Sequence, residues 1–405
     1  MKLRILRWSL LTAFVAAPGV AYAHASLLKS EPASGSVMQK SPPEVRLRFS
    51  EEVLPDMSSL VLIQSDGTEI NLHGANDSHD VHVLTAPLPS LPPGGYAIRW
   101  SVISADGHPT SGTYSFLVSP PPVESSTATM LPPSETEEPL PILAPLLRGI
   151  GMTALLALTG MLAFLTRAEG DRGPRVRPTL QWTGVLAATA LFLHLVVWAN
   201  TLHAPSWHAV LDSAPGRLEQ LRVIFAGLLL MSVLSGSKRS LGLFFGTLAV
   251  VVSAFIGHPG TIRPLLSVPL ILLHLTAVTA WLGGVSWLVA HRGEPTVRIV
   301  QETARVSNAS FIAAIVVLFT GVVETSLLLH GFSELVSTAY GFLILAKTAG
   351  LAALIAFGWY HRFRILPKIS QGNASDFIRT LRYELTVMAT VVIIAGFLAY
   401  TPTPR

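Results

Sequence analysis

Three residues carry donor atoms in a pattern that could hold one metal ion: His24, Asp106 and His108. Asp106 and His108 stand two apart in Ser104-Ala105-Asp106-Gly107-His108-Pro109. Residues two apart on an extended backbone share a face, with Cβ atoms roughly 6–7 Å apart. One carboxylate and one imidazole can therefore converge. His24 follows Ala21-Tyr22-Ala23, and residues 1–23 read as a secretory signal: Lys2, Arg4 and Arg7, then an apolar run, then a small-residue cleavage site. Cleavage after Ala23 would make His24 the first residue, able to bind one ion through both its α-amine and its imidazole. Amine, two imidazoles and a carboxylate suit Cu(II) in a tetragonal arrangement, with Zn(II) a weaker competitor. Cysteine is absent, so thiolate ligation and disulfides are excluded. Each residue also has a plain explanation. Some residue must follow a cleavage site, and Asp-Gly is a common turn pair.

The elements that must position these residues are strands. In Val45-Arg46-Leu47-Arg48-Phe49 the apolar residues point one way and the arginines the other. Similar runs occur at 60–64, 81–84, 96–103 and 112–118. They are separated by turn signals such as Ser65-Asp66-Gly67 and Asp106-Gly107. Six or seven short strands over residues 24–118 predict an all-β sandwich. A looser group, His73, His79 and His82 with Asp77 and Asp80, reads equally well as a metal site or as a solvated hairpin. Met38 and Met57 are the only methionines in this region, too few for a thioether-rich Cu(I) cluster.

Residues 119–141 are rich in proline and glutamate and predict a semi-extended tether that leaves the sandwich free to move. Beyond it the chain changes character. The whole sequence is 50% hydrophobic and 13% charged, a balance concentrated in runs that match the thickness of a bilayer. Eight transmembrane helices are expected, at 142–165, 182–202, 221–234, 241–256, 265–290, 309–329, 336–360 and 385–400. With the sandwich outside, the inner loops hold most of the Arg and Lys, among them Arg167, Arg172, Lys238, Arg239 and Arg292. This bias agrees with a multi-pass protein of the cytoplasmic (inner) membrane whose two ends lie outside. The formal charge of +4 does not suggest nucleic-acid binding, because the basic residues lie between membrane runs.

Polar groups inside the spans are the second set of candidates. His194, His203, His208, His258, His274 and His330 fall at or near the outward side. His194, His258 and His274 could mark a metal path into the bundle. Interfacial histidines and a hydrogen-bonded helix pair would explain them as well. Glu324 reads as the only acidic residue well inside a span. It could neutralise a cation, with Lys347 as a rival partner.

Two resemblances follow from the residues. His24-Ala25-Ser26-Leu27-Leu28, Leu47-Arg48-Phe49-Ser50-Glu51 and the run from Trp100 to Gly112 resemble the CopC family of periplasmic copper-binding proteins. That resemblance implies a Greek-key β-sandwich with Cu(II) held by His24, Asp106 and His108. Members with a second, Cu(I) site use a Met-rich loop, which this chain lacks. Gly257-His258, the signature His274-x6-Trp281-x-Gly283-Gly284, 311–321 and 347–353 resemble the CopD family of copper-resistance membrane proteins. Together they imply a fused protein, not an enzyme, that captures Cu(II) outside and transports copper across the membrane for import or resistance. Cu(I) would be carried in the membrane part. A different class of function is a membrane-anchored copper buffer or a mononuclear copper redox enzyme, although Asp106 would crowd the open position that oxygen needs. No ATP-binding Gly-x4-Gly-Lys-Ser/Thr or phosphorylatable Asp-Lys-Thr-Gly motif is present. Copper, the lipid bilayer, and a reductase or copper chaperone are the expected partners.

Overall fold

The computed structural model describes residues 26–77, 80–105, 107, 109–119, 142–165, 175–202, 204, 206–257, 264–291, 296–329, 331–365 and 374–401. Alternation decides the first domain. Val45, Leu47 and Phe49 are fully enclosed while Arg46 and Arg48 face out. Each such burial is worth about 1.5–3 kcal/mol. The strands are β1 (Leu27–Glu31), β2 (Val37–Met38), β3 (Glu44–Phe49), β4 (Ser59–Gln64), β5 (Glu69–Leu72), β6 (Ala75–Asp77), β7 (Asp80–Pro87), β8 (Gly94–Ile103) and β9 (Pro109–Val118). They form two sheets, ordered β1-β3-β7-β6 and β2-β9-β8-β4-β5. Leu47 and Leu84 from the first meet Leu62, Ile98 and Trp100 from the second in one core. The Phe49 and Trp100 rings meet edge to face at 5.2 Å. Trp100 pairs in register with Gly112, where a Cβ would lie 2.6 Å from the indole, so the position admits only glycine. Nine strands replace the expected six or seven. β2 and β6 are two and three residues long, too short to show a period of two.

The helices are α1 (Leu143–Phe164), α2 (Val176–Thr201), α3 (Trp207–Asp212), α4 (Ala214–Leu234), α5 (Arg239–Ser253), α6 (Pro264–Ala290), α7 (Thr296–Leu328), α8 (Glu334–Ser337), α9 (Ala339–Tyr360) and α10 (Ala374–Leu398). A π-helical turn, His361–Ile365, continues α9. Among the described residues six helices are long and apolar enough to cross a membrane: α1, α2, α6, α7, α9 and α10. The other two expected spans are α4 and α5. Helix α5 has only 15 residues. Helix α4 begins seven residues before its apolar run, with Pro215 in its first turn and the Ser213 hydroxyl accepting from the Gly216 N–H at 3.1 Å. That start draws Arg217 and Glu219 into the helix, on the turn before Arg222.

Helix α1 is the axis of the bundle and packs against α2, α5, α6 and α10. Its crossing with α6 is made by glycines. A Cβ on Gly160 would lie 2.7 Å from Gly283 Cα, and one on Gly284 3.1 Å from Phe164 Cε2. Gly283-Gly284 in the signature thus serves close helix approach. A third apolar cluster joins the two domains. Met57, which ends the 3-10 turn before β4, and Ile103 of β8 pack with Ala144, Leu195, Trp198, Leu202 and Tyr400 from the helices. The two-sheet domain is therefore seated on the bundle.

Candidate functional site

His24, Asp106, His108, His258, His203, His330 and His79 lie outside the described residues, as do residues 120–141 of the expected tether. What surrounds the first three is well defined. The Gly107 N–H donates to Ser104 O at 2.8 Å and closes a tight turn, with Gly107 at φ 90°. That left-handed conformation favours glycine. Residues 50–53 form a common anchor. Ser26 N–H donates to Ser50 Oγ (3.0 Å) and Ser50 N–H returns to Ser26 O (3.1 Å). Ala105 N–H donates to Glu52 O (3.0 Å), and Val53 bridges to Ser104. The start of β1 and the turn after β8 are thus tied to one segment.

That turn rests on the helices. Trp198 near the end of α2 donates from Nε1 to Gly107 O at 3.3 Å, and the contact is buried. A Cβ on Gly107 would lie 3.2 Å from Trp198 Cζ2 and 3.5 Å from Pro215 Cβ. The turn that carries the expected ligands sits directly over α2 and α4.

One helical turn further in lies a buried polar layer. His194, Glu219 and Arg222 are all at 2% exposure or less. Arg222 Nη2 donates to Glu219 Oε2 and contacts His194 Nδ1 at 3.1 Å. A guanidinium only donates, so Nδ1 is the acceptor and Nε2 carries the proton. Nε2 then donates to the Tyr400 hydroxyl at 2.7 Å. Both ring nitrogens are engaged. On the far side of Arg222, Met152 Sδ lies 4.0 Å from Nη1 and 3.6 Å from Ser253 Oγ. The sequence signal for Glu219 and Arg222 was available in their i, i+3 spacing after a capped Pro215. It was obscured because the apolar run begins only at Leu221.

His274 occupies a different place. It faces α7, where its Nδ1 meets Thr320 Oγ1 at 2.8 Å. The single Thr320 hydroxyl proton goes to Val316 O at 2.7 Å. Thr320 must therefore accept, which puts the His274 proton on Nδ1 and leaves the Nε2 lone pair unprotonated. Metal-binding histidines are commonly oriented in this way, by donating from the other nitrogen. Glu324, one turn from Thr320 on α7, is 8% exposed, and its Oε1 is buried without a hydrogen-bond partner. Lys347 of α9 is close enough to act electrostatically on both His274 and Glu324. The structure does not bring His194 and His274 together. Helix α1 packs against both α2 and α6, and the two histidines face different partners.

The expectation that Glu324 is the only acidic residue well inside a span is corrected. Glu219 and Glu384 are more deeply buried, at 2% and 3% exposure. Glu384 was missed because it sits one residue before the apolar run at 385, whereas α10 starts eleven residues earlier. His208 is exposed on α3. In the hairpin group, Asp77 pairs with Arg46 (2.5 Å), and Asp80 pairs with Arg48 (3.1 Å) and His82 Nδ1 (3.0 Å). Hydrogen bonds from His82 hold the Asp80 carboxyl below the usual carboxylate range. Those carboxylates are committed to the sheet. Among the described residues no group of three or more His, Asp or Glu is spaced to hold a metal.

Fold and site together define a multi-pass membrane protein whose exported two-sheet domain sets one loop against buried polar residues of a helix bundle. Residues 27–119 match the family model described as CopC domain, and residues 300–398 match the one described as Copper resistance protein D. The chain is 26% identical to Copper transport protein CutJ of Bacillus subtilis (strain 168), over 98% of this chain and 78% of that protein. It is 36% identical to Protein YobA of Escherichia coli (strain K12), over 28% of this chain and 95% of that protein. To Inner membrane protein YebZ of the same organism it is 25% identical, over 62% of this chain and 96% of that protein. The chain belongs to the CopC family and fuses a CopC domain to a CopD-type membrane region. It resides in the inner membrane with its N-terminal domain on the extracytoplasmic side.

Proposed function

We propose that this protein captures Cu(II) on its exported domain and passes copper inward through the helix bundle. His24, Asp106 and His108 are the proposed ligands on a Greek-key sandwich, and eight crossings, counting α4 and α5, are the proposed topology. Support for the ligand set comes from their chain neighbours. Ser26 and Ala105 are both tied to residues 50–53, and Gly107 closes the turn between the other two ligands. A free amine, two imidazoles and a carboxylate suit Cu(II).

The observation that carries the transport reading is the seat of that turn on Trp198 and Pro215, one helical turn above His194. A buffer or a redox enzyme would need no such seat. Below it lie donors of two kinds, the His194 imidazole and the Met152 thioether, and the latter suits Cu(I). A reductase is the proposed source of the electron. His274, with its unprotonated Nε2, and Glu324, with an unpartnered oxygen, are proposed as a second station, and His258 as part of the outer approach.

Copper flux into proteoliposomes of known orientation tests this. Intact chain should load the lumen, and His274→Ala should slow loading at least several-fold while the exported domain still binds Cu(II). Binding without flux in the intact chain would reject transport in favour of an extracytoplasmic buffer.

A further inference from the structure

The inner end of the bundle holds a second buried ionisable pair that the transport reading does not use. His361 Nδ1 lies 3.1 Å from Glu384 Oε2, and the two side chains are 9% and 4% exposed. His361 Nε2 lies 2.9 Å from Thr380 Oγ1. Thr380 sends its hydroxyl proton to Phe377 O at 2.8 Å, so it accepts from His361 and fixes a proton on Nε2. The other carboxylate oxygen, Glu384 Oε1, accepts from Trp281 Nε1 at 3.2 Å. Every edge of the pair is then assigned except one. A bond between Nδ1 and Oε2 needs one proton, whether it rests on nitrogen, giving imidazolium and carboxylate, or on oxygen, giving imidazole and carboxylic acid. The resting pair is neutral in both forms and holds one shared proton on that edge.

The surroundings isolate this proton. Arg379 and Arg382 of α10 and Arg362 and Arg364 after α9 have exposed side chains, and Arg362 lies over the Phe311 ring of α7. Tyr360 is exposed, and Tyr383 is half-buried beside Glu384. Helix α6 contributes Trp281, and its inner-end His291 bonds back to Trp287 O at 2.9 Å. On α7, Glu302 is bound to Arg305 and Trp287. The titratable residue of α1, Arg148, reaches Ile256 O at the opposite end of the bundle. The backbone at His361 leaves α-helical geometry for a π turn, a distortion common at functional sites. Trp281 lies seven residues along α6 from His274, two turns on the same helix. The signature His274-x6-Trp281 therefore joins the proposed second copper station to this pair.

We propose that His361 and Glu384 form a proton-loading site that links copper passage to proton movement across the membrane, an inference resting on the transport reading above. The pair takes up one proton to become imidazolium with carboxylic acid, net charge +1, and releases one to return to neutrality. No atom is exchanged other than that proton. The chain carries no nucleotide-binding motif, so a proton gradient would supply the direction that the metal gradient alone does not.

The test uses the full chain in proteoliposomes with a lumenal pH dye, copper in the bath and an imposed pH gradient. The intact chain should show copper flux that changes at least three-fold with the sign of the gradient, together with a lumenal pH change. Glu384→Gln keeps an acceptor for Trp281 and should retain copper flux but lose both responses; His361→Gln should do the same. Intact-chain flux indifferent to the gradient, or a Glu384→Gln protein that stays fully coupled, overturns the proposal and leaves the transport reading standing. If the intact chain moves no copper, the transport reading fails, and proton loading is read by infrared difference spectroscopy. A pH-dependent carboxylic C=O band that vanishes in Glu384→Gln upholds the site, and the absence of such a band overturns it.

Discussion

Replacing Trp198 separates a seated sandwich from a merely tethered one. Trp198→Phe keeps most of the ring volume and removes the Nε1–H that reaches Gly107 O at 3.3 Å. A net neutral hydrogen bond is worth about 0.5–1.5 kcal/mol, and this long one belongs at the lower end. About 0.5–1 kcal/mol shifts the seated-to-free ratio roughly two- to five-fold, since about 1.4 kcal/mol is tenfold. Trp198→Ala removes a side chain that is 6% exposed at the centre of the inter-domain cluster. Truncations of that size cost about 3–5 kcal/mol. Part of the loss falls on the bundle, because Leu195, Leu202 and Tyr400 share the cluster. Even half of it, about 2 kcal/mol, moves the ratio by more than tenfold.

The chain has no cysteine, so two introduced cysteines take spin labels without background. Asp66 at the tip of the β4–β5 hairpin and Ser235 after α4 are both exposed and lie in different domains. The wild-type distance distribution should be narrow, that of Trp198→Phe slightly broadened, and that of Trp198→Ala broad and shifted. Copper flux should fall in the same order, with Cu(II) affinity of the exported domain unchanged. Three superimposable distributions would refute the seat as an energetic contact. A broad distribution with wild-type flux would refute its part in transfer.

Two further outcomes follow from named groups. One extra residue before His24 in the processed chain moves the α-amine away from the imidazole, and Cu(II) affinity should fall at least tenfold; equal affinity by competition titration would remove the amine from the ligand set. Arg222→Met strands Glu219 at 2% exposure without its guanidinium, and leaving a buried charge unpaired costs about 3–5 kcal/mol, so the thermal midpoint in detergent should drop sharply. Adding Glu219→Gln should restore most of it, and a double variant as unstable as the single would refute the pairing.

The parts of the fold written as periodic pattern were legible, and those fixed by partners were not. Val45, Leu47 and Phe49 announce β3 because one face is buried and the other wet. The six long helices announce themselves by apolar length. Their true starts do not. α4, α7 and α10 each extend well before the apolar run, and those extensions carry Glu219, Glu302 and Glu384. A charged residue at the edge of an apolar run reads as a loop until another helix is known to cover it. The seat of the sandwich was equally hidden. The proline-rich segment suggested free motion, while the contact is made by Met57, Ile103 and Trp198, ordinary apolar residues in three separate stretches. His274 was legible as a polar group in a span, but its tautomer was not, because that depends on Thr320 forty-six residues away.

The tautomers also distinguish the two buried histidines in function. His194 has no free nitrogen. Arg222 occupies Nδ1 and Tyr400 occupies Nε2, with the Arg222 charge held by Glu219. A cation arriving from the turn at Gly107 meets a guanidinium where it needs a lone pair. His274 has its proton fixed on Nδ1 by Thr320, which leaves the Nε2 lone pair unprotonated. In the conformation seen, both His194 nitrogens are engaged, whereas only Nδ1 of His274 is. Under the proposed transport, Arg222 would have to leave His194 before a metal could bind it. The residue positioned to receive it is Met152, whose Sδ already lies 4.0 Å from Nη1 but offers a guanidinium little in exchange for a carboxylate. Under the proposed transport, a metal ion held by His194 and Glu219 would replace the guanidinium as the positive partner of the carboxylate, and Arg222 would need a new partner of its own.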